Sequence, residues 1–118
     1  MNNNYSPQLN TAINASIQAG KIIMRFYSRL ENLKIMSKGH NDYVSEADQQ
    51  AESIIKDTLT KAYPTYKITA EESGSNDVES EYEWFVDPLD GTTNFIHGIP
   101  QFAVSIGISL CLAVAPTI

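Results

Sequence analysis

The stretch from Trp84 to Pro100, WFVDPLDGTTNFIHGIP, limits what this chain can fold into more than any other. An apolar run, Trp84-Phe85-Val86, stops at Asp87. Pro88 and Gly91 punctuate a tight turn that carries a second carboxylate, Asp90. Two threonines, an amide, an aromatic residue and a histidine follow. The pattern predicts a strand that delivers two carboxylates to a turn, and a turn that opens a helix. Asp87 and Asp90 stand three residues apart on a bent backbone, so both can face one divalent cation. Mg²⁺ favours hard oxygen ligands at about 2.0–2.1 Å and keeps waters that a phosphate replaces. The backbone N–H groups of Gly91, Thr92 and Thr93 fall at the predicted helix N-terminus, where unpaired donors and the helix dipole favour an anion. A cation site beside an anion cradle suits phosphoryl chemistry. The plain alternative is an Asp-Pro turn whose acids only cap a helix.

The rest of the chain supplies elements to hold that stretch. Ser6-Pro7 reads as a helix start, with Ser6 as N-cap and Pro7 in the first turn. Leu9, Ile13, Ile17, Gly20, Met24 and Tyr27 recur at helical spacing, joined by Ala12, Ile23 and Leu30, which predicts a helix from Pro7 to about Arg29 burying one face. Gly20 within it costs a little helix propensity and would allow close packing. Leu33 to Ser45 is turn-rich, and Lys38-Gly39-His40-Asn41-Asp42 has the composition of a hairpin loop. Ser45-Glu46-Ala47-Asp48 is a capping-box pattern opening a second amphipathic helix that should end near Ala62, before Pro64. Tyr66 to Ala70 reads as a short strand ending at the acids Glu71-Glu72; Glu72 is expected to face solvent or a neighbouring backbone. Gly74 to Glu83 reads as a loop. Gln101 to Leu110 alternates, with Phe102, Val104, Ile106, Ile108 and Leu110 on one face, as a strand packed against the helices.

Bulk properties narrow the class. A chain of 118 residues suggests one domain with an ordinary core. A net charge of −6 argues against broad binding to nucleic-acid phosphates, which needs clustered Lys and Arg. The single cysteine, Cys111, excludes an internal disulfide and a thiol-rich zinc set, and is expected to be a buried, inert thiol. No apolar run approaches the roughly 18 residues of a membrane span, and the N-terminus lacks a signal-type core. The cytoplasm is the expected compartment.

Asp87-Pro88-Leu89-Asp90-Gly91-Thr92-Thr93-Asn94-Phe95, with His97 and Pro100, resembles the first signature of the inositol monophosphatase family. The match is long, and the paired Glu71-Glu72 upstream agrees with it. Lys38, Asp42 and Asp48 also match the family's order of a lysine, an acid, and an acid in a helix's first turn. The resemblance implies an α/β (α+β) layered sandwich, of which this chain holds the N-terminal half: two long helices on a mainly antiparallel sheet, with the C-terminal half absent.

The resemblance further implies Mg²⁺-dependent hydrolysis of a phosphate monoester, in the first place an inositol phosphate. Glu71, Asp87, Asp90 and the backbone carbonyl of Leu89 would hold the metal ions, Glu71 falling at the family's bridging position and Asp87 able to bridge two ions about 3.5–4 Å apart. Glu71 and Thr92 would orient or deprotonate the attacking water, and Asp48 would orient water or a metal besides capping its helix. Gly91, Thr92 and Thr93, with Lys38, would hold the phosphate; for Lys38 a solvated loop lysine is an equal reading. His97 is expected to fix the loop before the last strand, and His40 to be an exposed loop histidine. On its own such a half is expected to be weakly active or inactive, with uncovered apolar faces that favour aggregation or pairing, a homodimer included. A related nucleotide- or sugar-bisphosphate phosphatase stays open as a substrate class. So does a non-catalytic role contacting the transcription machinery, known among bacterial relatives.

Overall fold

A computed structural model describes residues 5–40 and 42–111. The reading of the apolar tail beyond Cys111 lies outside them. Helix α1 spans Pro7–Tyr27, with Ser6 Oγ accepting from Leu9 N–H as its cap. A short 3₁₀ turn at Leu30–Asn32 leads to the hairpin β1 (Ile35–Gly39) and β2 (Asp42–Ser45). Helix α2, Glu46–Ala62, begins with the expected capping box and ends before Pro64. Strands β3 (Lys67–Ala70), β4 (Gly74–Ser75), β5 (Tyr82–Asp90) and β6 (Ala103–Leu110) form one sheet in the order β4-β3-β5-β6, with helix α3 (Thr92–Ile96) between β5 and β6. The fold is α+β, two long helices on a sheet in which β3 and β5 run parallel and the other neighbours antiparallel.

The core lies between the helices and one face of the sheet. Ala12, Ala15, Ala19 and Ile23 of α1 meet Ala47, Ala51, Ile55 and Leu59 of α2, and Trp84, Val86 and Leu89 of β5 lie beneath. Alanine on both helices lets their backbones approach, so Trp84, with no exposed surface, fills the space at the sheet. Its Nε1 finds no partner among the described residues. Tyr63 and Tyr66 pack tilted against its ring.

Several expectations need correction. The buried side of α1 is the alanine stripe rather than the larger apolar residues: Leu9, Ile17 and Met24 are 43%, 50% and 54% exposed. Packing against a neighbouring helix favours the face that lets it come closest, and side-chain size alone misplaces that face. Gly20 has open space beyond its Cα, so it serves no close contact. The helix ends at Tyr27 instead of Arg29. Gly74–Ser75 pairs with β3 inside the expected loop. Phe102, just before β6, and Val104 and Ile106 on it pack on the core, but Ile108 and Leu110 are exposed. Cys111 is exposed, not buried.

Candidate active site

The parallel pairing of β3 with β5 positions the site. Ala70 stands beside Val86, and Glu71 N–H donates to the Val86 carbonyl at 2.9 Å. Both strands therefore deliver their C-terminal acids, Glu71 and Asp87, to the same end of the sheet. Beyond Asp87 the register with β6 slips: Asp87 opposes Ser105 and Asp90 opposes Ala103. Three steps on β5 match two on β6, which is a bulge. In a regular strand, residues three apart point to opposite faces; the bulge, with Pro88 buried inside it, re-aims the strand. The strand thus runs through the Asp-Pro-Leu-Asp segment, where the sequence suggested a turn.

At Gly91 the chain turns into α3 with φ of 89°, a left-handed conformation. A Cβ there would sit 2.7 Å from the Gln101 carbonyl oxygen, so this position needs glycine twice over. Phe95, fully buried, anchors the short helix against Tyr27 and Phe102, with ring centroids 5.7 and 5.1 Å away. His97 Nδ1 lies 2.7 Å from the Thr93 carbonyl oxygen, in line with a structural role in this loop. The first N–H groups of α3 have no partner within so short a helix.

Glu71, Asp87, Leu89, Asp90, Gly91, Thr92, Thr93 and Lys38 line one open cavity of about 290 Å³, together with Asp42, Tyr43, Glu72 and Asn94. Burial pushes the Asp87 carboxyl above its ordinary range. The charge of Glu71 adds to the rise, the Leu89 N–H at 3.3 Å opposes it, and Asp90 and Asp48 add further. Lys38, the cation at this cavity, is engaged elsewhere: its Nζ pairs with Glu72 Oε1 at 3.0 Å, which raises its own pKa. Glu72 accordingly faces neither bulk solvent nor a backbone through its side chain, although its N–H donates to Glu52 Oε1 at 2.9 Å. Burial raises the Glu72 carboxyl, and Lys38 counters that rise.

Asp48 sits under the cavity floor with no exposed surface. Its Oδ1 accepts from Ser45 N–H at 2.7 Å and Ser45 Oγ at 2.6 Å. Its Oδ2 lies 2.7 Å from Thr92 Oγ1, which is also 3.0 Å from the Leu89 carbonyl oxygen. The threonine hydroxyl has one proton, and a carboxylate is a stronger acceptor than a neutral carbonyl. Asp48 thus ties the start of α2 to the start of α3, across 44 residues. Sequence reasoning gave Asp48 as a cap and, by resemblance, as orienting water or a metal; it did not anticipate the bond from Thr92, and it missed Glu52, buried to 5% exposure one turn further along α2. The i, i+4 spacing of Asp48 and Glu52 on one helix face was the available signal.

Among the described residues no three acidic, histidine or cysteine side chains converge tightly enough to hold a metal ion as they stand. Glu71, Asp87 and Asp90 line the same cavity. The donor set fits a hard divalent cation in chemistry: carboxylate oxygens and a carbonyl, no sulfur, and a raised Asp87 that a cation would relieve.

Residues 4–110 match the family model described as the inositol monophosphatase family. Over 104 residues the chain is 49% identical to the putative Nus factor SuhB of Neisseria meningitidis and 46% identical to an inositol-1-monophosphatase of Rhizobium meliloti; each match spans 87% of this chain, and 40% and 39% of the relative. Among solved structures it is similar to the extragenic suppressor protein suhB of Bartonella henselae, with a TM-score of 0.86, 45% identity, and coverage of 89% of this chain and 41% of that one. A Thermotoga maritima IMPase gives a TM-score of 0.78 at 31% identity, covering 90% and 41%. The chain thus spans about 40% of the length of the curated relatives it matches.

Proposed function

The chain belongs to the inositol monophosphatase family, and on that footing we propose that its acidic cavity is the metal- and phosphate-holding part of a Mg²⁺-dependent phosphomonoesterase site acting on an inositol phosphate. The observation that carries this reading is the parallel β3–β5 pair, which sets Glu71 beside Asp87 at one sheet end with Asp90 brought round by the bulge. Glu71, Asp87, Asp90 and the Leu89 carbonyl would hold magnesium. When bound, magnesium would supply charge neutralisation of the phosphate oxygens and make water more acidic.

The chain's own residues would do the rest. The N–H groups of Gly91, Thr92 and Thr93 would orient the phosphate oxygens. Water beside Glu71 and Thr92 would pass a proton to Thr92 Oγ1 as the Thr92 proton moves to Asp48 Oδ2 at 2.7 Å. The hydroxide would attack phosphorus in line, and the bond from phosphorus to the alcohol oxygen would break. The departing alkoxide would take its proton from solvent. Lys38 is held by Glu72 in this state, and would reach phosphate only by leaving that ion pair.

Magnesium titration followed by thermal unfolding and calorimetry tests the metal reading: a saturable rise in the melting temperature is expected, lost in Asp87→Asn and in Asp90→Asn. Absence of any response in the wild-type chain would sink it. Phosphatase turnover of inositol phosphate by these 118 residues alone is expected near background, because the cavity is open and three carboxylates are a partial ligand set. A bisphosphate of a nucleotide or sugar is the alternative substrate.

Relatives that carry the name Nus factor favour a second reading, a non-catalytic contact with the transcription machinery. Capture of a transcription component that survives Asp87→Asn and Asp90→Asn would support it. The cytoplasm is the compartment we propose for either role; among the described residues no helix is long and apolar enough to cross a membrane.

A further inference from the structure

Apart from Asp48, Glu52 is the one charged side chain buried among the described residues. It takes no part in the capping box of α2 and does not line the acidic cavity. It is 5% exposed, on a helix whose Ala51 and Ile55 are fully buried, and such surroundings disfavour a carboxylate that nothing donates to. Its Oε1 accepts from the Glu72 N–H at 2.9 Å, across 20 residues.

That N–H lies in the rigid peptide plane joining Glu71 to Glu72. The plane on the other side of Glu71 is held as well, because the Glu71 N–H donates to the Val86 carbonyl at 2.9 Å. Strand β5 thus holds one flank of Glu71 and helix α2 the other. Two fixed planes set φ and ψ of the residue between them, and so the direction in which its side chain leaves the backbone. The second hold matters because β3 has ended here. Residues 71–73 form a turn before Gly74 pairs back onto Ala70, so the sheet ladder no longer dictates the backbone. We propose, on the reading that Glu71 is a metal ligand, that Glu52 is a positioning residue of the site: it holds the Glu71–Glu72 peptide so that Glu71 presents its carboxylate to magnesium.

Helix spacing puts Glu52 within reach. Asp48, Glu52 and Lys56 follow one another at four-residue intervals along one flank of α2. Each ends on a segment that carries the site or adjoins it. Asp48 Oδ2 accepts from the Thr92 hydroxyl at 2.7 Å, and Lys56 Nζ donates to Ser73 Oγ at 2.8 Å. Asp48 therefore braces the α3 wall of the cavity, and Glu52 braces the β3 wall. The grip of Lys56 on a hydroxyl leaves the Ser73 backbone free to turn about its side-chain bond, whereas the grip of Glu52 is on the backbone itself. The same peptide leads into Glu72, whose Oε1 pairs with Lys38 Nζ at 3.0 Å, so Glu52 also sets where that ion pair stands. A carboxylate accepting from an N–H makes a stronger bond than a neutral acceptor would, but what the site needs from Glu52 is an oxygen at this place.

Two variants separate reach from charge. Glu52→Gln keeps an oxygen at the end of a side chain of the same length and drops the charge. Glu52→Asp keeps the charge and draws the oxygen back by one methylene. The isotope-labelled chain is titrated with magnesium chloride and followed by amide NMR. Glu52→Gln is expected to bind magnesium within about threefold of the wild type and Glu52→Asp roughly tenfold or more weakly, the scale of loss when the support of a metal ligand is removed. The metal-free spectra give a second readout. The Glu72 amide proton is expected to hold its shift in Glu52→Gln and to move upfield in Glu52→Asp, as the bond to it is lost. Wild-type magnesium affinity in Glu52→Asp would overturn the proposal and leave the metal reading standing. Binding by Glu52→Gln as weak as that of Glu52→Asp, or weaker, would also overturn it, since reach would then not be what matters. A wild-type chain indifferent to magnesium would overturn both.

Discussion

Asp48 and the acids of the cavity beside it, whose Asp87 feels its charge, are treated in opposite ways. Asp48 is completely buried, and its oxygens take three hydrogen bonds from Ser45 and Thr92. Glu71, Asp87 and Asp90 crowd one open cavity, where among the described residues the Leu89 N–H donates to Asp87 Oδ1 at 3.3 Å. The first arrangement stabilises the fold: a cap, a hydroxyl and a cross-chain link share one acceptor. The second disfavours the charged form of Asp87, through its burial first and then the nearby charge of Glu71. One acid is held entirely by the protein, and the other three meet in an open cavity where Glu71 and Asp90 are exposed. The contrast separates a residue that ties two helices together from the residues that we propose hold a metal ion.

The largest effect should come from the satisfied side. Asp48→Ala removes an acceptor for two buried donors of Ser45 and the half-buried Thr92 hydroxyl, and is expected to destabilise by about 2–4 kcal/mol in urea unfolding. If it costs no more than a surface change, the contrast fails. Gly91→Ala should follow, at about 1–3 kcal/mol, since the left-handed φ and the Gln101 carbonyl both oppose a Cβ.

On the unsatisfied side the direction reverses. Asp90→Asn should leave metal-free stability within about 0.5 kcal/mol of the wild type, or raise it, while abolishing the magnesium response. Asp87 provides the pH test. Its folded carboxyl lies above the ordinary 3.8, so the folded state holds the proton more tightly than the unfolded one. Its favourable contribution is present below about that ordinary value and is lost as pH rises through the raised one. Metal-free protein should therefore lose stability over that window, and Asp87→Asn should flatten the loss in melting temperatures measured across it. Saturating magnesium at neutral pH should offset it. The smallest effect belongs to Lys38→Met, expected below about 1 kcal/mol, because the pair with Glu72 is partly exposed and screened.

Local patterns in the chain determined a good deal. The capping box at Ser45–Asp48, the first helix's Ser-Pro start, the end of α2 before Pro64 and the acids at strand ends were all legible, because each depends on neighbours within a few residues. The family resemblance on Asp87–Phe95 reached further, to the fold type and the membership that the family model supports. Only the tertiary structure decided which face of α1 is buried, since that depends on how closely alanine lets α2 approach. It alone decided that β3 runs parallel to β5, which makes neighbours of Glu71 and Asp87, and that a bulge gathers Asp90 to the same cavity. The bond from Thr92 to Asp48 belongs to the same class, joining residues 44 apart. Periodicity and capping chemistry act along the chain; strand direction, register and helix approach are set by packing between segments that no short window contains.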